Sequence, residues 1–307
     1  MNPTITPSRS PSSPPSTTIP RTCSPSYRPS QTVSSSPTVV SSADDIKYRG
    51  GLVYTGAMKI FNIFYGDFSG IGSQTVSLTN YLAANLGTSA WYNVLTSYYR
   101  VVNGSKVYVS GQLTFAGSYN LFPTWRKNTT TISAMRKDVI THIFAKGITT
   151  PDPNTIYAVI FRGDFTVSSS GRRWLQDWCG LHTGAYLAND ANFYPMLLVG
   201  DLSSVDPVDQ FSCSSYSPYP NGNLAADSVA NIYAHKVSEV ITDPIIDQGW
   251  TFDPAPGHFS STWECGDECA WNFPSSGYSS VGAKNYSLQL IWQPGDMKML
   301  PLLSTMY

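Results

Sequence analysis

LVYTGAMKIFNIFYG (52–66) is a continuous apolar stretch, rich in β-branched and aromatic residues, that closes at Gly66. A run of that length and composition predicts a strand buried on both faces of a sheet. The next segment, SQTVSLTNYLAANLG (73–87), sets Leu78, Leu82 and Leu86 on one helical stripe, with Ser73 as candidate N-cap and Gly87 as stop. SAWYNVLTSYY (89–99) repeats that logic with Trp91, Val94, Leu95 and Tyr98, and VYVSGQLTF (107–115) alternates strictly, predicting a half-buried strand at a sheet edge. TISAMRKDVITHIFAKG (131–147) spaces Ile132, Met135, Val139 and Ile143 helically. TIYAVIFRG (155–163) and YPMLLVG (194–200) read as short apolar strands, a helix covers about 224–242, and YSLQLIWQ (286–293) closes with alternation. This order predicts a single α+β or α/β domain, helices packed on a mixed β-sheet, with no internal repeat or boundary.

The composition limits what such a domain does. The chain has 307 residues, enough for one large domain or two small ones. Charged residues make up 13% of it, against about 25% in an average soluble domain, and 19 basic residues offset 20 acidic ones to leave a net charge of -1. A nucleic-acid binder working through a basic field is excluded on that balance. Ser, Thr, Asn, Gly and 19 Tyr give instead a neutral hydrogen-bonding surface of the kind found outside cells. No run reaches the ~18–20 apolar residues of a membrane span.

Residues 1–43 hold nine Pro, thirteen Ser and seven Thr, with Arg9, Arg21 and Arg28 as the only charges. Such a segment buries too little apolar surface to offset its ordering entropy, so it reads as a disordered tail, a linker or an O-glycosylated stalk, ahead of a domain over 44–307. Its start, MNPTITPSRS, shows no apolar core of a secretory leader, while its acid-free, Arg- and Ser-containing character also fits an organelle transit peptide. Cys23 lies in the tail, leaving Cys179, Cys213, Cys265 and Cys269 as an even set that allows three disulfide pairings. The alternative is a set of buried thiols, since no CxxC spacing of a zinc ribbon occurs. Asn103, Asn128 and Asn285 each begin a sequon that accepts an N-glycan in a secreted protein.

The residues with the most chemistry gather late in the chain. All three Glu residues, Glu239, Glu264 and Glu268, fall within AHKVSEVITDPIIDQGW (234–250) and TWECGDECAWNF (262–273), which also carry His235. On the helix, Val229, Tyr233, Val237 and Val240 form the apolar stripe while His235, Glu239 and Asp243 stand one turn apart on an adjoining face. An imidazole and a carboxylate at that spacing reach one cation, as in the paired ligands of zinc peptidases. Glu264 and Asp267, joined by a Cys-Gly turn, supply further donors. The candidate metal ligands are therefore His235, Glu239, Asp243, Glu264 and Asp267, for one divalent cation, zinc or calcium; the alternative is a helical His–Glu hydrogen bond beside a solvated acidic turn. His182 and His142 read as structural, a cysteine-adjacent turn residue and a helix-surface residue. Where a zinc hydrolase carries its proton-accepting Glu, directly after the first His, this chain has Lys236, a cation that cannot act as that base. No GxSxG elbow, phosphate loop or dinucleotide fingerprint occurs.

The domain resembles the phosphate-induced protein 1, or EXORDIUM-like, family in GGLVYTGAMKIFNIFYGDF (50–68), WCGLHTG (178–184), the Cys213 region and VGAKNYSLQLIWQP (281–294). The resemblance implies a secreted protein of the cell wall or apoplast, linked to growth and without an established catalytic activity. The segment from His235 to Trp271 is similar to microbial relatives with the pattern HExxExxTDP followed by Trp and ExGDxC, reminiscent of metallopeptidases with a zincin-like core. His235, Glu239, Thr242, Asp243, Pro244, Trp250, Glu264, Gly266, Asp267 and Cys269 match it, and Lys236 departs from it. Two functions follow as expectations. The first is a secreted, non-catalytic protein acting by binding, with cell-wall carbohydrate as partner. The second is a metal-dependent hydrolase, degenerate at position 236. The reading favours the first.

Overall fold

The computed structural model describes residues 46–188, 190–210, 212–215, 219–253 and 263–294. The tail over 1–43, with Cys23, lies outside the described residues. Five strands build the central sheet: β1 (Met58–Tyr65), β2 (Leu113–Leu121), β3 (Thr155–Phe161), β4 (Gly180–Tyr186) and β5 (Phe193–Gly200). They lie in the order β4-β5-β3-β1-β2, with β5, β3, β1 and β2 parallel and β4 running antiparallel at the edge. This is the mixed-sheet α+β arrangement that the sequence predicts.

Parallel strands joined by helical crossovers are covered on both faces, which is why their sequences are apolar throughout. Ile60, Phe64, Ala158, Ile160, Leu197 and Val199 pack into the core shared with helices α1 (Ser73–Asn85) and α3 (Leu224–Thr242). Their neighbours Phe61, Ile63, Tyr157, Val159, Met196 and Leu198 pack on the opposite face with Met135 and Val139 of α2 (Ile132–Val139). A π-helical turn over Ile140–Phe144 extends α2 and buries Ile143. Through the first core runs one polar thread. The Tyr233 hydroxyl donates to Asn62 Oδ1 at 2.7 Å and the Asn62 amide donates to Asn80 Oδ1 at 2.9 Å, so the buried groups of α3 and β1 are paired with each other and with half-buried Asn80 of α1.

Two expected strands differ. The alternating stretch 107–115 is split: Ser105–Tyr108 pairs with Tyr99–Val102 in an exposed hairpin, and β2 begins only at Leu113. Asn103 and Gly104, at φ 51 and 79, form the hairpin turn, a backbone geometry that Asn-Gly favours. In the second, only Tyr286 of the closing segment joins a ladder, as the end of a strand over Lys284–Tyr286 that pairs with Ser279–Val281. Residues 287–291 are buried without one, held through Gln289, whose amide N–H donates to Asn231 Oδ1 and whose carbonyl accepts from Trp91 Nε1.

The cysteines also depart from the expected set. Cys179 and Cys213 are bonded, and Cys269 is disulfide-bonded, whereas Cys265 is a buried free thiol whose pKa burial pushes up to about 12. Cys265 sits between the disulfide-forming positions in sequence but faces Thr242 of α3, so packing rather than pairing uses it.

Candidate functional site

The site assembles around α3. Asn223 caps the helix, its side chain accepting from Ala226 N at 3.1 Å, and no Gly or Pro interrupts the 19 residues that follow. The expected stripe of Val229, Tyr233, Val237 and Val240 is fully buried, and the adjoining face is buried too, so His235 and Glu239 are inside the protein rather than at its surface. Two glycines bring the flanking elements close to that face. A Cβ on Gly180 of β4 would lie 2.4 Å from Ile232 Cγ2, and a Cβ on Gly266 would lie 3.0 Å from the His235 ring. The close approach seats β4 on one side of the helix and the turn after Glu264 on another. The Cys179–Cys213 disulfide ties the start of β4 to the chain that leads into α3.

Six side chains meet there. His235 Nε2 is 2.5 Å from Glu239 Oε1 and 3.4 Å from Asp267 Oδ1. On the other carboxylate oxygen, Lys236 Nζ donates to Glu239 Oε2 at 2.6 Å and His182 Nδ1 lies 3.3 Å away. His182 Nε2 is 3.0 Å from the Asp243 carbonyl and 3.6 Å from Glu264 Oε1. Glu264 Oε1 is buried and has no hydrogen-bond partner.

Charges buried together settle one another's protonation. Burial alone would push the Glu239 carboxyl up, but His235, Lys236 and His182 hold it well below the usual carboxylate range. Burial opposes charge on His235 and Lys236, yet Glu239 raises both, His235 to about 9 with help from Asp267. Glu264 goes the other way: burial, then the nearby charges of Glu239 and Asp267, push it well above the usual range, which favours its neutral form. The cluster thus balances its own charge, with Lys236 and His235 against Glu239 and Asp267.

Of the five expected ligands, His235, Glu239, Glu264 and Asp267 converge and Asp243 does not. Its carboxylate accepts from the backbone N–H groups of Asp247, Gln248 and Gly249 at 2.8, 3.0 and 2.5 Å, which fixes the turn after α3. Those amides engage the carboxylate directly, so Asp243 is a capping residue instead of a ligand. His182, read from sequence as a turn residue, stands on β4 inside the cluster. The alternation that could have revealed it places Gly180, His182 and Gly184 on the fully buried face and half-buried Leu181 and Thr183 on the other, the reverse of an apolar pattern. His142, also read as structural, is half-buried and stacks on Trp125 with ring centroids 3.8 Å apart.

Two trios offer donor atoms within 4.8 Å of one another: His182, Glu239 and Glu264, and His235, Glu239 and Asp267. Either fits a divalent cation in donor type, one imidazole with two carboxylates. A cleft of about 300 Å³ opens beside the second trio, with Trp178, Leu181 and Trp271 on its walls and His235, Lys236 and Asp267 at its polar side. A larger groove of about 640 Å³, between α2 and the far end of β4, holds none of these residues. As a general base the cluster is poorly equipped, because both Glu239 oxygens are engaged by His235, Lys236 and His182 and the surroundings of Glu264 favour its neutral form.

Fold and site together describe a mixed-sheet α+β protein with an ion-paired histidine–carboxylate cluster buried beside its edge strand. The chain belongs to the phosphate-induced protein 1 family: the model of that family's conserved region matches residues 46–286, which includes the sheet, α3 and the cluster. Comparison with curated proteins and with solved structures gives no match.

Proposed function

We propose that the protein acts outside the cell as a non-catalytic member of its family, by binding, with cell-wall carbohydrate as the partner class. The observation that carries the non-catalytic part is the 2.6 Å contact of Lys236 with Glu239. It sets a permanent cation at the position where a hydrolase of this motif needs a proton acceptor. The disulfide Cys179–Cys213 supports an oxidising compartment, and two sequon residues, Asn103 and Asn128, stand exposed where a glycan has room. No described helix is long and apolar enough to cross a membrane. Exposed Trp125, Tyr108 and Tyr186 on a surface of low charge suit stacking against sugar rings.

The test combines binding with turnover. Full-length protein made through an oxidising pathway is expected to sediment with insoluble wall polysaccharide and to leave peptide and glycan substrates uncleaved. Hydrolysis that disappears in Glu239→Ala would overturn the non-catalytic reading, and absence of sedimentation would overturn the carbohydrate partner. A second reading, a metal-dependent hydrolase that has lost its base, is favoured by the partnerless Glu264 Oε1. In that reading His182, His235, Glu239, Glu264 and Asp267 provide the donors, and activity gained by Lys236→Glu would support it.

A further inference from the structure

We propose that His182, Glu239 and Glu264 form a latent zinc-class cation site that the Lys236 ammonium holds shut. The proposal stands apart from the extracellular binding reading, since it concerns the cluster alone. The three residues come from β4, α3 and the start of the 264–270 turn, and each is more than nine-tenths buried. Their donor atoms lie within 4.8 Å of one another, close enough to converge on one ion with the ~2.0–2.2 Å bonds of zinc. One imidazole and two carboxylates is a zinc donor set, whereas calcium takes six to eight oxygens.

The observation that points to a missing ligand is Glu264 Oε1. It is buried without a hydrogen-bond partner and faces His182 Nε2 at 3.6 Å, beyond hydrogen-bond range. Buried carboxyl oxygens are otherwise paired.

Lys236 is what now fills the cation position. Its ammonium is 2.6 Å from Glu239 Oε2, the same oxygen that His182 Nδ1 faces at 3.3 Å. A divalent ion on that oxygen would sit within a few ångströms of the ammonium in a low-dielectric interior, where like charges repel strongly. The two are therefore mutually exclusive occupants. The lysine reaches this position because Gly180 leaves room for its stem: a Cβ there would be 3.3 Å from Lys236 Cγ.

The experiment is zinc titration of chelator-treated full-length protein by calorimetry and thermal melting, for wild type, Lys236→Met and Lys236→Gln. Both variants keep the stem and remove the charge. They are expected to bind one zinc ion at least 100-fold more tightly than wild type and to melt higher with zinc. Cobalt(II) in their place is expected to give the visible absorption of a tetrahedral site. Adding His182→Gln to Lys236→Met should abolish the gain, and adding His235→Gln should preserve it, which separates this trio from the one on the cleft. If either variant folds only with zinc, that rescue supports the site equally. The proposal is overturned if the variants bind zinc no better than wild type, if the gain survives His182→Gln, or if both variants stay unfolded with zinc present.

Discussion

Glu239 accepts from three cationic or polar partners at once, and its replacement shows what the cluster is worth. Glu239→Ala strands His235 and Lys236 in the interior without their counter-charge, a loss expected to cost about 3–5 kcal/mol of unfolding free energy in urea at neutral pH. A change under about 1 kcal/mol would mean the cations re-solvate and the cluster is not a structural unit. A second buried carboxylate allows a pH test. Asp138 accepts from Tyr65, Trp125 and both arms of Arg126; burial raises its pKa, but those hydrogen bonds and the guanidinium charge prevail and hold it below the usual range. A lowered folded pKa stabilises above the unfolded value of about 4 and is lost as pH falls through the folded one. The stability gap between wild type and Asp138→Asn should therefore be widest above about pH 4 and close on acidification. A gap independent of pH would assign the effect to packing. At this scale the sequence reveals residue types better than roles: the helical spacing of His235 and Glu239 is legible, whereas the use of Asp243 as a cap and of His182 as a partner depends on chain segments far away in sequence.

Among the elements, β4 and α3 depend on each other. Gly180→Val would drive side-chain atoms into Ile232 and the Lys236 stem, an overpacking expected to cost about 1–3 kcal/mol in chemical denaturation. A neutral outcome would mean that the helix shifts freely on the strand. The disulfide acts on the same junction. Replacing Cys179 and Cys213 together by Ser releases a cross-link between residues 34 apart, expected to lower stability by about 2–4 kcal/mol and to reduce the sensitivity of melting to reductant to what the Cys269 disulfide contributes. The elements most legible in sequence are those whose burial is apolar: β1, β3, β5 and α3 lie where the runs and stripes place them. β4 is hidden because glycine and histidine occupy its inward face. The stretch 107–115 misleads because alternation continues across a break where one hairpin ends and β2 begins. The closing segment alternates because Ser287 and Gln289 hydrogen-bond or pack inside, so its polar positions are buried along with its apolar ones.

At the scale of the whole molecule, a sheet covered on both faces carries its chemistry at one edge, where β4, α3 and the 264–270 turn meet. The family match spans the residues that build this edge. Lys236 places a charge against the Glu239 carboxylate from within, and the proposal's central claim is that this internal cation, rather than a metal ion, is the resident one. Elemental analysis of wild-type protein, secreted through an oxidising pathway and purified without chelator, tests that claim most directly. The account predicts no stoichiometric zinc or calcium in the wild type. One ion per chain, lost in Glu239→Ala, would contradict it and make the cluster a working metal centre.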